Sequence, residues 1–182
     1  MPRVFLSPSV QEFNPFINGG TEEEYMNKIV DAMIPYLEAS GIEYGRNNPN
    51  LSLSEAINES NRGNYDFHLA IHSNAAAPAY AGKARGTDVY YWYNSIFGKK
   101  GADIIAKNFK EIYPDPSNVK SVSTSTLREL RRTNAPSALI EVAYHDNIQD
   151  ANWIKENIDK IGRNLVLSLT EYFGIPFVEP QL

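Results

Sequence analysis

The chain contains no cysteine. That excludes a disulfide framework and any thiolate metal site, so a metal here would need nitrogen and oxygen donors. Histidine is scarce as well, with only His68, His72 and His145 present. No apolar run approaches the roughly 20 residues that cross a bilayer, so no membrane span is expected. Positive charge is not in excess either: 17 Lys and Arg stand against 22 Asp and Glu, for a net charge of -5. The basic doublets Lys99-Lys100 and Arg131-Arg132 read as solvated surface pairs. Nucleic-acid binding needs a clustered basic face, so no nucleic-acid partner is expected. The first residues lack the basic and apolar stretches of a secretory signal, and no internal repeat is found.

What is present fits one α/β domain of 182 residues. Residues 3 to 6 read as a first strand. Thr21, with Glu24 three residues on, resembles a capping box opening an amphipathic helix through Met26, Ile29, Val30, Met33 and Leu37. Pro35 predicts a kink in it or a separate last turn. Residues 42 to 44 read as a short strand and 52 to 62 as a helix. A strand ending at His72 follows, then a flexible Ala/Pro/Gly stretch to Gly86 and a β-prone aromatic run, 87 to 93. A helix near 98 to 112, a Ser/Thr-rich segment at 121 to 126, a short helix-like piece and a strand bearing Glu141 come next. One long helix, 150 to 173, closes the series. Such alternation predicts a mostly parallel or mixed central sheet flanked by helices, over residues 1–175, with 176–182 as a tail or linker.

Two runs carry the chemistry. Asp66-Phe67-His68-Leu69-Ala70-Ile71-His72-Ser73-Asn74 is an apolar strand with imidazoles, and sites in open α/β sheets form beyond the carboxyl ends of strands. His68 and His72 share a face but lie about 13 Å apart at roughly 3.3 Å per residue, too far to share one ion. His72, at the strand end, is the ligand candidate; the alternative is a hydrogen-bonded structural histidine. Ser137-Ala138-Leu139-Ile140-Glu141-Val142-Ala143-Tyr144 buries a carboxylate in the same fashion, which calls for a ligating or catalytic role or an ion pair with a residue such as Arg131. Glu22, Glu23 and Glu24 cluster at a helix start, where the macrodipole favours carboxylates in any case. His145 by itself reads as a surface residue or a support to the site.

These residues resemble the zinc-dependent N-acetylmuramoyl-L-alanine amidases of the Amidase_3 type. His72-Ser73-Asn74 is similar to that family's Ser-Ile-His-Ala-Asn. Pro136 to Asn147 resembles its Pro-Ala-Val-Leu-Val-Glu-x-Gly-Phe-x-Ser-Asn, preceded by Leu130-Arg131 where the family has Leu-Arg. Gly86-Thr87-Asp88-Val89-Tyr90-Tyr91 is like its Gly-x-Glu-x-Tyr-Tyr, and Glu23-x-x-x-Asn27 is like its helix start. The five motifs occur in order across residues 3 to 173.

The resemblance implies Zn2+ as cofactor, peptidoglycan as substrate and a place of action at the bacterial cell wall, as in autolysins and endolysins. It implies His72 and Glu23 as metal ligands, with Glu22 or Glu24 as alternatives, and Glu141 as the catalytic glutamate. Asn74, Arg131 and His145 would border the substrate or support the site. The family's first ligand is missing. Its Asp-Pro-Gly-His-Gly is replaced by Ser7-Pro8-Ser9-Val10-Gln11, with Val10 in the histidine's place and Gln11 as a substitute oxygen donor. Zinc would activate water for attack on the amide between the muramoyl lactyl group and L-alanine. The departure at Val10 motivates a second expectation, a peptidoglycan-binding module of amidase fold without hydrolysis. A zinc peptidase of related fold is a third.

Overall fold

Phe67, Leu69 and Ile71 point to one side of their strand, His68, Ala70 and His72 to the other, and that division runs through the whole sheet. The computed structural model describes residues 1–181. The elements run β1 (Arg3–Pro8), α1 (Glu22–Ala39), β2 (Glu43–Arg46), α2 (Leu53–Arg62), β3 (Phe67–Asn74), β4 (Thr87–Trp92), α3 (Ile96–Phe109), β5 (Val119–Thr124), α4 (Arg128–Arg132), β6 (Ser137–Tyr144), α5 (Ile148–Glu156) and α6 (Ile158–Phe173). They form one α/β domain around a six-stranded mixed sheet of order β2-β1-β3-β6-β4-β5. β2, β1, β3 and β6 are parallel, β4 runs antiparallel to β6, and β5 is parallel to β4.

One face is apolar and thickly covered. Val4, Leu6, Phe67, Leu69, Ile71, Val89, Ala138 and Ile140 meet Met26, Ile29 and Met33 of α1, Ile105 and Phe109 of α3, and Ile161 and Leu165 of α6 in one core. Gly162 allows α6 to lie against α1, since a Cβ there would come within 3.1 Å of the Ala32 and Met33 backbone. The other face carries only a small cluster of Ala70, Leu130 and Leu139, flanked by Tyr90, Trp92 and Leu127. The short α2 and α4 cover it in part; Phe5 stacks there on His68, and Ser7, His68, His72 and Glu141 make it largely polar.

The helices depart from the sequence reading in two places. Residues 150 to 173 are not one helix. Asn157 leaves helical geometry at φ -125° and ψ 25°, its side-chain amide donates to the Trp153 carbonyl, and α6 begins afresh after it. Pro35, in contrast, does not end α1, which runs unbroken from Glu22 to Ala39. Pro35 lies on the exposed side. The Ser/Thr-rich segment is mostly edge strand β5, paired residue for residue with β4. Beyond α6 the chain folds back: Phe177 stacks on Tyr36 with centroids 6.0 Å apart, and Glu179 pairs with Arg163.

Candidate functional site

β3 ends at the C-terminal edge of the sheet and delivers His72 there, between two carboxylates. Its Nδ1 lies 3.1 Å from Glu22 Oε1 and its Nε2 lies 3.6 Å from Glu129 Oε2. Glu22 opens α1, where the helix dipole favours a carboxylate. It accepts hydrogen bonds from the Ser73 amide at 3.3 Å and the Asn14 side chain at 2.7 Å. Glu129 comes from α4 and is buried on the polar face of the sheet. Its Oε1 accepts from Ser7 Oγ at 2.6 Å and lies 3.0 Å from His68 Nε2. His68 is completed by Ser60 Oγ, 2.9 Å from its Nδ1. The cluster thus runs Glu22, His72, Glu129, His68, Ser60, joining α1, β3, α4 and α2.

Glu141 stands opposite His72, its register partner across the β3–β6 pair. On the other side it faces Asp88 of β4. Its Oε2 is buried with no hydrogen-bond partner. Burial is the main cause that pushes its pKa up to about 7; His72 opposes the shift, and the Glu22 and Asp88 charges reinforce it. Burial alone would favour neutral His72, but the Glu129 and Glu22 carboxylates overcome it and hold the imidazole well above its ordinary value. For Glu129 and Glu22, burial likewise opposes ionisation, and the histidines prevail, so both sit below the usual carboxylate range. A carboxyl that titrates near neutrality beside a charge-rich pair is the arrangement that general acid–base chemistry needs.

The structure brings His72 and Glu141 together as the two strands suggested. Of the three first-turn glutamates left open by the sequence, Glu22 is the one that reaches His72. Successive helix residues point about 100° apart, and Glu23 turns to the Asn27 side chain at 3.1 Å while Glu24 pairs with Lys28. Gln11 lines the same cavity as His72. Its Oε1 accepts from Asn14, which also holds Glu22. Asn74 ends β3, and its carbonyl accepts from the His145 amide at 2.8 Å. His145 is buried, stacked on Phe16 and bonded to Ser73, so it braces the loop beyond β6. Arg131 is exposed on α4 and forms no ion pair with Glu141. Glu129 was not legible as a site residue, because its partners His68 and His72 are distant in sequence.

A zinc ion can be weighed against this donor set. His72 Nδ1 and Glu22 Oε1 are 3.1 Å apart, hydrogen-bond distance and closer than the roughly 3.3–3.6 Å between two ligands of a tetrahedral centre with bonds of about 2.0–2.2 Å. The family's third position is Val10, which has no donor atom and instead lines a groove beside His72. Among the described residues no group of three or more His, Cys, Asp or Glu side chains could hold a metal. The three-donor cage implied by the resemblance does not fit this chain.

Comparison with known proteins fits the same frame. A family profile described as N-acetylmuramoyl-L-alanine amidase, Amidase_3, matches residues 12–171, a span that starts just past Val10. The amidase LytC of Bacillus subtilis is 26% identical over 164 residues, covering 86% of this chain and 32% of that protein. An uncharacterised protein of Clostridium perfringens, CPE1502, is 28% identical over 154 residues, covering 79% of this chain and 44% of its own length. The chain therefore spans less than half of either curated relative. The amidase AmiC2 of Nostoc punctiforme superposes with a TM-score of 0.82 at 18% identity, covering 95% of this chain and 97% of that one, which shows a shared fold. With most of its length matched, the chain belongs to the N-acetylmuramoyl-L-alanine amidase family of the Amidase_3 type.

Proposed function

We propose that this chain acts at the bacterial cell wall and hydrolyses the amide between the muramoyl lactyl group and L-alanine in peptidoglycan, with Glu141 carrying the proton. The observation that supports it is the buried, unpartnered Glu141 carboxyl with a pKa near 7, set beside the Glu22–His72 pair. In its ionised form Glu141 takes a proton from the attacking water as the oxygen bonds to the carbonyl carbon. It then gives that proton to the alanine nitrogen as the C–N bond breaks. Glu22 hydrogen-bonds His72 Nδ1, and the Glu129 carboxylate faces its Nε2, so carboxylates orient the ring from both nitrogens.

Zinc belongs to this proposal only as far as its donors go. An ion brought to the chain would have His72 Nδ1 and Glu22 Oε1, and it would take its third donor from outside the family's His–Glu–His set. Gln11, one residue past Val10, is the side-chain oxygen proposed for that place. No step above is routed through the ion.

Val10 favours a second reading, a module that binds peptidoglycan without cleaving it. One experiment separates the two. Purified protein is incubated with muropeptides across a range of zinc concentrations, while new L-alanine amino termini and bound metal are measured together. Amino-terminal release that disappears in Glu141→Gln supports the hydrolase. Folded protein that binds muropeptides yet releases nothing at any zinc level overturns it in favour of the module.

A further inference from the structure

The two flanks of His72 differ in charge. On one side lies a cavity of about 500 Å3 between the loop after β1 and the start of α2. Val10, Phe13, Leu51 and Leu53 give it an apolar wall, and Glu12 and His72 are its charged members; no lysine or arginine is among the described residues lining it. Phe13 is 73% exposed, leaving an aromatic ring free at this wall. Asn47 is buried in the wall. Its Nδ2 donates to the Pro8 carbonyl at 3.2 Å, while its Oδ1 has no donor at all. On the other side, β4 pairs Asp88 with the exposed Lys120 of β5, while the nearby Arg85 is held by the buried Asp150 at 3.0 Å.

A muramoyl-peptide is itself two-sided. Its glycan half is uncharged, rich in hydroxyl and acetamide donors, and has apolar ring faces; its stem peptide carries free carboxylates. An anion placed in the β1-side groove would lose water beside Glu12 and Glu22 with no cation to replace it, which is costly. A sugar ring has no such penalty, can lie on an aromatic ring, and brings N–H and O–H groups to a buried acceptor.

We propose that the groove between β1 and α2 is the subsite for the uncharged N-acetylated glycan, and that the carboxylate-bearing stem peptide runs to the β4–β5 side near Lys120. This rests on the muramoyl-peptide reading of the site, and its test does not depend on turnover.

Binding of N-acetylglucosaminyl-N-acetylmuramic acid with its lactyl carboxyl capped as the methylamide, so that the probe is uncharged, and of the free stem peptide is measured separately by ligand titration, for the wild type, Phe13→Ala, Leu51→Arg and Lys120→Ala. Phe13 is exposed, so its truncation leaves the fold intact. Phe13→Ala weakens the disaccharide about tenfold, the equivalent of one lost aromatic contact, and leaves the peptide within twofold. Lys120→Ala does the reverse. Leu51→Arg obstructs the disaccharide and does not tighten the peptide. Disaccharide affinity unmoved by Phe13→Ala, peptide tightened by Leu51→Arg, or a wild type that binds neither ligand would each overturn the subsite. Failure to release L-alanine with the binding pattern intact would instead sink the hydrolase reading alone.

Discussion

The two faces of the sheet use the same strands for opposite ends. On the covered face, Phe67, Leu69, Ile71 and Ile140 meet three helices in a continuous apolar core. On the other, the alternate residues of those strands are His68, His72 and Glu141, under two short helices. Burial stabilises the first face directly. On the second, buried charges are held by one another, and one of them, Glu141, keeps a buried Oε2 with no hydrogen-bond partner. Stability and chemistry are thus separated by a single residue of strand register, and perturbing each face in turn tests that separation.

The largest effect is expected at Glu141. Glu141→Gln should lower amide hydrolysis by roughly 10²- to 10⁴-fold, the usual contribution of a positioned acid–base group. The same change should not cost stability. A carboxyl whose folded pKa is raised to about 7 favours the fold while protonated, below its unfolded value of 4.5, and that advantage fades as pH rises through 7. The glutamine variant escapes the loss and should be more stable than the wild type above neutrality, by up to roughly 2–3 kcal/mol. Denaturant unfolding at pH 5 and pH 8, set beside muropeptide turnover, reads both. A variant that lost stability and activity together would erase the contrast between the faces.

The mirror-image change lies on the covered face. Phe67 is fully buried and packs on Tyr172 with ring centroids 4.5 Å apart. Phe67→Ala should cost about 3–5 kcal/mol, a lost aromatic side chain plus the cavity it leaves. Turnover per folded molecule should hardly change, because His72 and Glu141 project the other way. Chemical denaturation and active-fraction kinetics check the pair of outcomes.

Glu129 sharpens the comparison from within the polar face. Glu129→Gln keeps the shape but removes the charge that faces both His68 and His72. His72 has its folded pKa raised, so its contribution to stability is complete below about 6.5 and is lost as pH rises through the folded value. Without Glu129 that loss should set in at lower pH. Titration of the histidine ring by NMR, alongside unfolding free energy against pH, would detect it. An unmoved His72 titration would show that Glu22 alone sets the ring's charge.

Much of this was readable in advance, for identifiable reasons. An apolar strand that contains a histidine or a glutamate announces a site because burial of such groups needs a cause, so His72 and Glu141 stood out. Alternation of strands and helices carried the fold. Glu129 did not stand out, because its partners His68 and His72 are distant in sequence, 61 residues away in the case of His68, and nothing local distinguishes it from a capping or surface glutamate. The division of the last helix at Asn157 was hidden too: the apolar spacing continues through it, and only backbone geometry marks the break.

The smallest predicted effects concern the glutamates that the sequence could not rank. Glu22, Glu23 and Glu24 are equivalent as first-turn residues of α1 and favourable to its dipole alike. A helix turns about 100° per residue, so an error of one position in phase moves a side chain from the sheet edge to solvent. Only Glu22 is aimed at His72. Glu24→Ala removes an exposed pair with Lys28, worth about 0.3–0.5 kcal/mol and weakened further by salt. Glu23→Ala removes a side-chain contact to Asn27 and should cost a similar amount. Neither should change muropeptide turnover by more than about twofold, whereas Glu22→Ala, which frees His72 on one side, should lower it well beyond that, though by less than Glu141→Gln. If Glu23→Ala proved the inactive variant, the start of α1 would be rotated by one residue in solution, and the carboxylate beside His72 would be the one the sequence first suggested.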